Sequence, residues 1–189
     1  FAEASILFAD IVGFTEIAAR FSPNDVVGLL NKYFTKFDEI MEKYGIEKIK
    51  TIGDAYMAAS GIPEPCNDHA EKLMNFAIEI LEQTAVISNK TGIAIDLRIG
   101  INSGPVTAGV IGTKKFIYDL WGDAVNLASR MEMHGVPGKI QVTPDTYMLL
   151  KDKYSFEHRG TIDVKGKGQL NVYLFSGKKD NYTYSNGVA

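Results

Sequence analysis

The sequence is short of the residues that crosslink chains or bind soft metals. Its 189 residues include one cysteine, Cys66, which excludes an intrachain disulfide; the three histidines, His69, His134 and His158, are too scattered to build a zinc site of the usual spacing with it. A reducing compartment is expected. Positive charge is also scarce: 20 Lys and Arg stand against 23 Asp and Glu, a net charge of −3, so no basic surplus exists to hold a nucleic-acid backbone and no nucleic-acid partner is expected. No apolar run nears the roughly 20 residues of a membrane-spanning helix, and no secretory leader precedes the first strand-like segment. These residues read as a water-soluble, cytoplasmic domain. Common catalytic signatures are missing as well: no G-x-x-x-x-G-K-[ST], no strand-linked G-x-G-x-x-G, no G-x-S-x-G and no H-E-x-x-H.

A composition of 46% hydrophobic and 23% charged residues suits one globular core. The chain opens at Phe1 without an initiator methionine and runs at once into an apolar segment, which suggests a domain cut from a longer protein whose regulatory or membrane segment lies N-terminal to it. Residues 4–12 are apolar except at Ser5 and Asp10, as expected of a central strand covered on both faces. Ser22-Pro23 starts a helix by N-cap and first-turn proline; it runs to Tyr44 and stops at Gly45, with Val26, Leu29, Leu30, Tyr33, Phe34, Phe37, Ile40 and Met41 inward. Strands are predicted over 46–52 and 55–60 around a Gly53-Asp54 turn, then a helix over 68–89, a strand over 94–102, a Ser103-Gly104-Pro105 turn and extended segments over 106–111 and 116–121. A helix from Gly122-Asp123 to about His134, a strand over 139–142, a short helix capped by Thr143-Pro144 and a closing pair over 154–164 and 169–176 complete the domain, 1–176. Residues 177–189 read as a polar, flexible tail. The tight hairpins and lack of a strict βαβ rhythm predict an α+β fold, a mostly antiparallel sheet covered by helices.

The candidate chemistry lies in polar residues at unexpected places. Asp10 in so apolar a strand either caps the following turn or binds a cation, because an unpaired buried carboxylate costs several kcal/mol. Asp54 at a hairpin tip is turn chemistry taken alone. If that hairpin lies beside the first strand, however, two carboxylates converge and need a divalent metal or a shared proton; with no His or Cys nearby they suit Mg²⁺ or Mn²⁺ over zinc. The Gly13 turn offers backbone N–H groups to an anion. Lys48 and Lys50, two apart on one strand, are expected on the same face, as are Asn126 and Arg130, four apart on one helix. Each of these pairs, and Lys165 with Lys167, also reads as a solvated surface when taken alone.

Laid out together, LFADIVGFT (residues 7–15), EKIKTIGDAYM (47–57), YDLWGDAVNLASRM (118–131), Arg159-Gly160 and VKGKG (164–168) resemble the catalytic domain of the class III nucleotide cyclases. The similarity runs in family order from about residue 4 to 176 and is greatest to bacterial membrane-anchored and mammalian transmembrane adenylate cyclases. It implies a ferredoxin-like fold, a head-to-tail homodimer with two interface sites, and conversion of ATP to cyclic AMP and pyrophosphate with two divalent ions, Mg²⁺ or Mn²⁺. Asp10, Asp54 and the Ile11 carbonyl would hold the metals, and backbone amides over Ile11, Val12, Gly13, Phe14 and Thr15 would cradle phosphates. Lys50 and Asp119 would read the base, Asn126 would orient the ribose, Arg130 would stabilise charge on the α-phosphate and Lys165 would grip the terminal phosphates. A guanylate cyclase of this family normally carries an acidic residue and a cysteine where Lys50 and Asp119 stand. A catalytically silent relative should have lost a metal Asp or the Arg. A diguanylate cyclase would need a different hairpin.

Overall fold

The computed structural model describes residues 1–114 and 116–179. In chain order its elements are β1 (Ala4–Ile11), α1 (Phe14–Ala18), α2 (Pro23–Tyr44), β2 (Glu47–Ile52), β3 (Ala55–Ser60), α3 (His69–Thr91) and β4 (Leu97–Gly104). Then come β5 (Thr107–Ile111), β6 (Ile117–Trp121), α4 (Asp123–Met133), β7 (Ile140–Val142), α5 (Pro144–Leu150), β8 (Tyr154–Val164) and β9 (Gly168–Lys178). The long α2 begins where its capping residues dictate: the Ser22 hydroxyl accepts from the Asp25 amide, Pro23 fills the first turn, and Gly45, at φ 62°, ends it.

Seven strands form one sheet in the order β2-β3-β1-β4-β7-β9-β8, while β5 and β6 pair separately. Only β4 and β7 run parallel among the described pairs, so the expected α+β, mostly antiparallel architecture is what the chain adopts. The apolar run of β1 has the predicted cause. Leu7, Ala9 and Ile11 share a core with Tyr33 and Phe37 of α2 and Leu73, Phe76 and Ile80 of α3. Ile6 and Phe8 point the other way, into a second core with Met57, Leu120, Ala124 and Ala128. Strand alternation thus puts Asp10 on the α4 side of the sheet. Among the described residues no helix is long and apolar enough to cross a membrane.

Most boundaries fall within two residues of expectation, α3 for example running to Thr91 rather than 89; two strands differ in ways that matter. β4 starts at Leu97 rather than 94 and continues through Ser103 and Gly104, which sequence alone reads as a turn; both pair with β1, opposite Ser5 and Ala4. A central ladder overrides local turn chemistry there. β9 runs to Lys178, two residues beyond the predicted strand end, and the remainder of the expected tail, 180–189, lies outside the described residues.

α4 lies directly on β4. A Cβ on Gly100 would sit 2.0 Å from the Glu132 amide nitrogen and 2.5 Å from the Met131 carbonyl carbon. Backbone cannot give way as a flexible side chain can, so Gly100→Ala is expected to lower stability by about 3 kcal/mol or more, read as a large drop in the denaturation midpoint.

Candidate active site

β1 pairs with β3 so that Asp10 faces Ala55, and Asp54 in the preceding turn comes within hydrogen-bonding reach of the Asp10 carboxyl. On the other side Arg98 of β4, directly across the ladder, donates to Asp10 Oδ2 at 3.2 Å and to Glu132 Oε1 of α4 at 2.7 Å. Burial, then the charges of Asp54 and Glu132, push the Asp10 carboxyl up to about 6, while Arg98 pulls it down. Two crowded carboxylates next to the Ile11 backbone carbonyl, with no His or Cys, form an oxygen-rich donor set that suits a hard divalent cation. Among the described residues no three side chains of His, Cys, Asp or Glu cluster as a metal site, so such an ion would rest on these two carboxylates and backbone or substrate oxygens.

The raised carboxyl carries a sign. Between the unfolded value of 3.8 and about 6 the folded chain keeps the Asp10 proton that the unfolded chain loses, so this stabilising contribution fades as pH rises through that window. Above it the ionised group costs on the order of 3 kcal/mol unless a cation compensates. Asp10→Asn is therefore expected to raise the melting temperature of the metal-free protein at pH 7.5 by about 5 °C. Added Mn²⁺ should stabilise only the unsubstituted protein. Melts with chelator and with Mn²⁺ check both.

Lys50 of β2 forms an ion pair with Asp119 Oδ2 of β6, and Asp119 Oδ1 accepts from the Leu120 amide. Lys48 does something different, which corrects the expectation that the two lysines share a face. The β2–β3 register shifts between them, Lys48 lying opposite Ala58 and Lys50 opposite Met57. One extra residue at this β-bulge reverses side-chain parity. Lys48 is sent to the α2 side, where it bonds both Asp38 oxygens at 2.7 Å and lies over the Tyr56 ring. Only Lys50 reaches β6.

Asn126 and Arg130 share the exposed face of α4, as their spacing predicts, and line a cleft of about 390 Å³ with Asp123, Met133, Lys165 and Lys167. Lys165 reaches it from the turn between β8 and β9. Lys167 is held by Asp123, while Arg130 makes no ion pair among the described residues and leans on the Met133 sulfur at 3.4 Å. This is a cationic, polar cleft fit for an anion.

At the end of β1, Gly13 sits at φ 66° and opens α1. The first N–H groups of a helix have no partner within it, so the amides of Phe14 and Thr15 face outward to an anion. Val12 does not contribute as expected: its amide already donates to the Asp96 carbonyl at 2.9 Å, extending the β1–β4 ladder by one rung.

Two groups result. Asp10, Asp54 and the Gly13 turn lie at one end; Lys50 and Asp119 form a pair, and Asn126, Arg130 and Lys165 line the cleft. Among the described residues no hydrogen bond or ion pair joins the carboxylates to any of the others. Arg98 and Glu132 went unnoticed in the sequence; the predicted strand over 94–102 also carries Asp96, so Arg98 did not stand out as the lone charge that Asp10 is in its strand. A larger cavity of about 550 Å³ between α2 and α3, lined by Lys32, Lys36, Ile87 and Lys90, contains none of these residues.

Comparison with known proteins locates this arrangement in one family. The family model described as "Adenylate and Guanylate cyclase catalytic domain" matches residues 1–177. An adenylate cyclase of Mycobacterium tuberculosis is 47% identical over 177 residues, 94% of this chain and 40% of that protein. The guanylate cyclase soluble subunit beta-2 of Rattus norvegicus is 43% identical over 176 residues, 92% of this chain and 26% of that protein. The crystal structure of the guanylate cyclase domain of RhGC from Catenaria anguillulae, in complex with GTP, superimposes with a TM-score of 0.91 at 40% identity, covering 95% of this chain and 98% of that one. The chain spans less than half the length of these two curated relatives.

Proposed function

This chain belongs to the adenylate and guanylate cyclase catalytic domain family, and from that premise we propose that it is an adenylate cyclase converting ATP to 3′,5′-cyclic AMP and pyrophosphate. The observation that carries ATP over GTP is the Lys50–Asp119 pair. Adenine presents an acceptor at N1 beside a donor at its exocyclic N6, matching an ammonium donor next to a carboxylate acceptor. Guanine presents a donor at N1 and an acceptor at O6, which would set donor against donor and acceptor against acceptor. Overall identity does not discriminate, since guanylate cyclases match nearly as well.

In the reaction the ribose 3′-oxygen bonds to the α-phosphorus while the bond from that phosphorus to the bridging oxygen breaks. Pyrophosphate leaves with the electron pair, and the hydroxyl proton passes to water. Two divalent cations, Mg²⁺ or Mn²⁺, held by Asp10, Asp54 and the Ile11 carbonyl, would supply Lewis acidity for the 3′-hydroxyl and the departing phosphates. Arg130 would meet the charge gathering on the non-bridging α-phosphate oxygens, and Asn126 would hold the ribose so that its 3′-oxygen stays in line. Lys165 and the amides of Gly13, Phe14 and Thr15 would bind the terminal phosphates.

Because no hydrogen bond or ion pair among the described residues joins the carboxylates to Lys50, Asp119, Asn126, Arg130 or Lys165, and because the family resemblance implies it, we assign the site to a head-to-tail homodimer. One protomer gives Asp10, Asp54 and the Gly13 turn; its partner gives Lys50, Asp119, Asn126, Arg130 and Lys165. Two equivalent sites follow from the twofold symmetry. We further propose that the domain acts on cytoplasmic ATP within a longer parent chain whose regulatory or membrane-anchoring region is N-terminal.

The test is cyclic nucleotide formation with Mn²⁺, ATP and GTP side by side, across protein concentration. Cyclic AMP alone, with specific activity rising as protein is concentrated, is the expected result. Cyclic GMP as the main product would overturn the choice of substrate, and no product from a dimeric sample would overturn the activity.

A further inference from the structure

The residues assigned to transition-state contact ride on α4, and the two ends of that helix are held very differently. At its C-terminal end three side chains fix it in direction: Gln141 Nε2 donates to the Met131 carbonyl at 3.0 Å, Arg98 bonds Glu132, and Arg159 donates to the carbonyl of His134. The N-terminal end begins at Gly122, φ 140°, with no side-chain cap. Its buried residues there include Ala124 and Ala128, which lie against Gly104 and Gly100 of β4 and belong to the second core, a non-directional apolar contact. Besides the exposed Asp123–Lys167 pair, one directional link holds this end among the described residues: Asn102 Nδ2 donates to the Ala124 carbonyl at 2.9 Å.

Asn102 is built for direction. It is buried at 1% exposure on the α4 side of β4, between Gly100 and Gly104, whose missing side chains let the helix approach. Its amide cannot turn over without setting acceptor against acceptor at Ala124, because Oδ1 receives the Thr143 hydroxyl at 2.7 Å. Thr143 in turn contacts Thr146, Thr146 contacts Ser103, and Ser103 shares a hydrogen bond with Ser5, which meets His69 Nδ1 at 2.8 Å. The chain of buried polar groups therefore runs from α3 through β1, β4 and α5 to α4. Buried polar groups satisfied in this way specify one arrangement where apolar packing would tolerate several.

We infer that Asn102 is a positioning residue that fixes the height and rotation of the α4 N-terminal half, and so aims Asn126 and Arg130 at the nucleotide. Asn126 lies two residues and Arg130 six residues beyond the tethered carbonyl. A slip of one residue would turn each by about 100° and shift it by about 1.5 Å. The inference rests on the shared-site reading above.

The experiment uses that sharing. In a mixture of an Asp10→Ala chain and an Arg130→Ala chain, the one intact site takes its α4 from the Asp10→Ala chain and its carboxylates from the Arg130→Ala chain. Asn102→Ala is added to one chain or the other. Asn102→Ser serves as a second variant, able to answer Thr143 but too short to reach Ala124. Melting temperature and dimer mass identify folded samples. On the α4-giving chain the substitution should lower kcat about 10-fold or more below its effect on the carboxylate-giving chain, with KM for ATP little changed. Equal losses in both placements would make Asn102 a general stabiliser and overturn the inference, as would no loss in either. If the two parent variants fail to restore activity before Asn102 is touched, the shared-site reading falls, and this inference with it.

Discussion

Two inactive variants of this chain are expected to make an active enzyme when mixed. Asp10→Ala removes half of the carboxylate pair that Asp54 completes at the turn beyond β2. Arg130→Ala removes the guanidinium that lines the α4 cleft, and losing an arginine that neutralises phosphoryl charge costs roughly 10³-fold in related transfers. In either homodimer both sites are broken, because symmetry repeats the same defect twice. Random exchange at equal amounts makes half the dimers mixed, and each mixed dimer has one of two sites whole, so about a quarter of the unsubstituted activity should return. Cyclic AMP production after mixing measures it. A mixture as dead as its parents, in which mixed dimers are demonstrably present, would mean that carboxylates and arginine serve one chain's own site. A chain carrying both substitutions, mixed with the unsubstituted protein, provides the control: each mixed dimer then has one site without the carboxylate and one without the arginine, so only the dimers of two unsubstituted chains stay active, about a quarter of the activity, whereas sites held within one chain would leave about half.

How much of this was legible beforehand depended on whether the physics was local. Asp10 could be singled out because a lone carboxylate in an apolar strand violates burial wherever the strand ends up, and Asn126 with Arg130 because helical spacing alone fixes a shared face. The caps at Ser22 and Gly45 set the bounds of α2 for the same reason. The strand parity of Lys48 and Lys50 failed because a β-bulge depends on how β3 meets β2, and nothing in the local residues announces it. The Val12 amide was lost to Asp96 through a ladder between segments more than 80 residues apart. Asn102 was invisible for a deeper reason. An asparagine in a strand is unremarkable until the two glycines flanking it are seen to admit a helix backbone, and the amide is seen to be the group that touches it. Arg98 was hidden for a simpler reason: the predicted strand over 94–102 also carries Asp96, and only the observed start of β4 at Leu97 leaves Arg98 as its one charge.

Base selectivity should be reversible with two substitutions, because Lys50 and Asp119 already satisfy one another. A pocket that hydrogen-bonds its substrate rejects an analogue whose groups are mismatched, by about 10⁴-fold where partners are left unpaired, so a strong preference for ATP over GTP in kcat/KM is expected of the unsubstituted protein. Lys50→Glu would supply an acceptor for the guanine N1–H and exocyclic amine, and Asp119→Cys would replace an acceptor facing O6 by a weak donor. Together they are expected to lower kcat/KM for ATP about 100-fold or more and to make GTP the better substrate. Lys50→Glu alone should be worse than the pair for both nucleotides, since it sets a carboxylate against Asp119 where an ion pair stood, and like charges at that distance repel or share a proton. Steady-state rates with both nucleotides for the single and double variants decide the matter. Loss of ATP activity with no gain for GTP, in a dimeric and folded double variant, would mean the base is read elsewhere. Unchanged ATP preference in that variant would remove Lys50 and Asp119 from the site altogether.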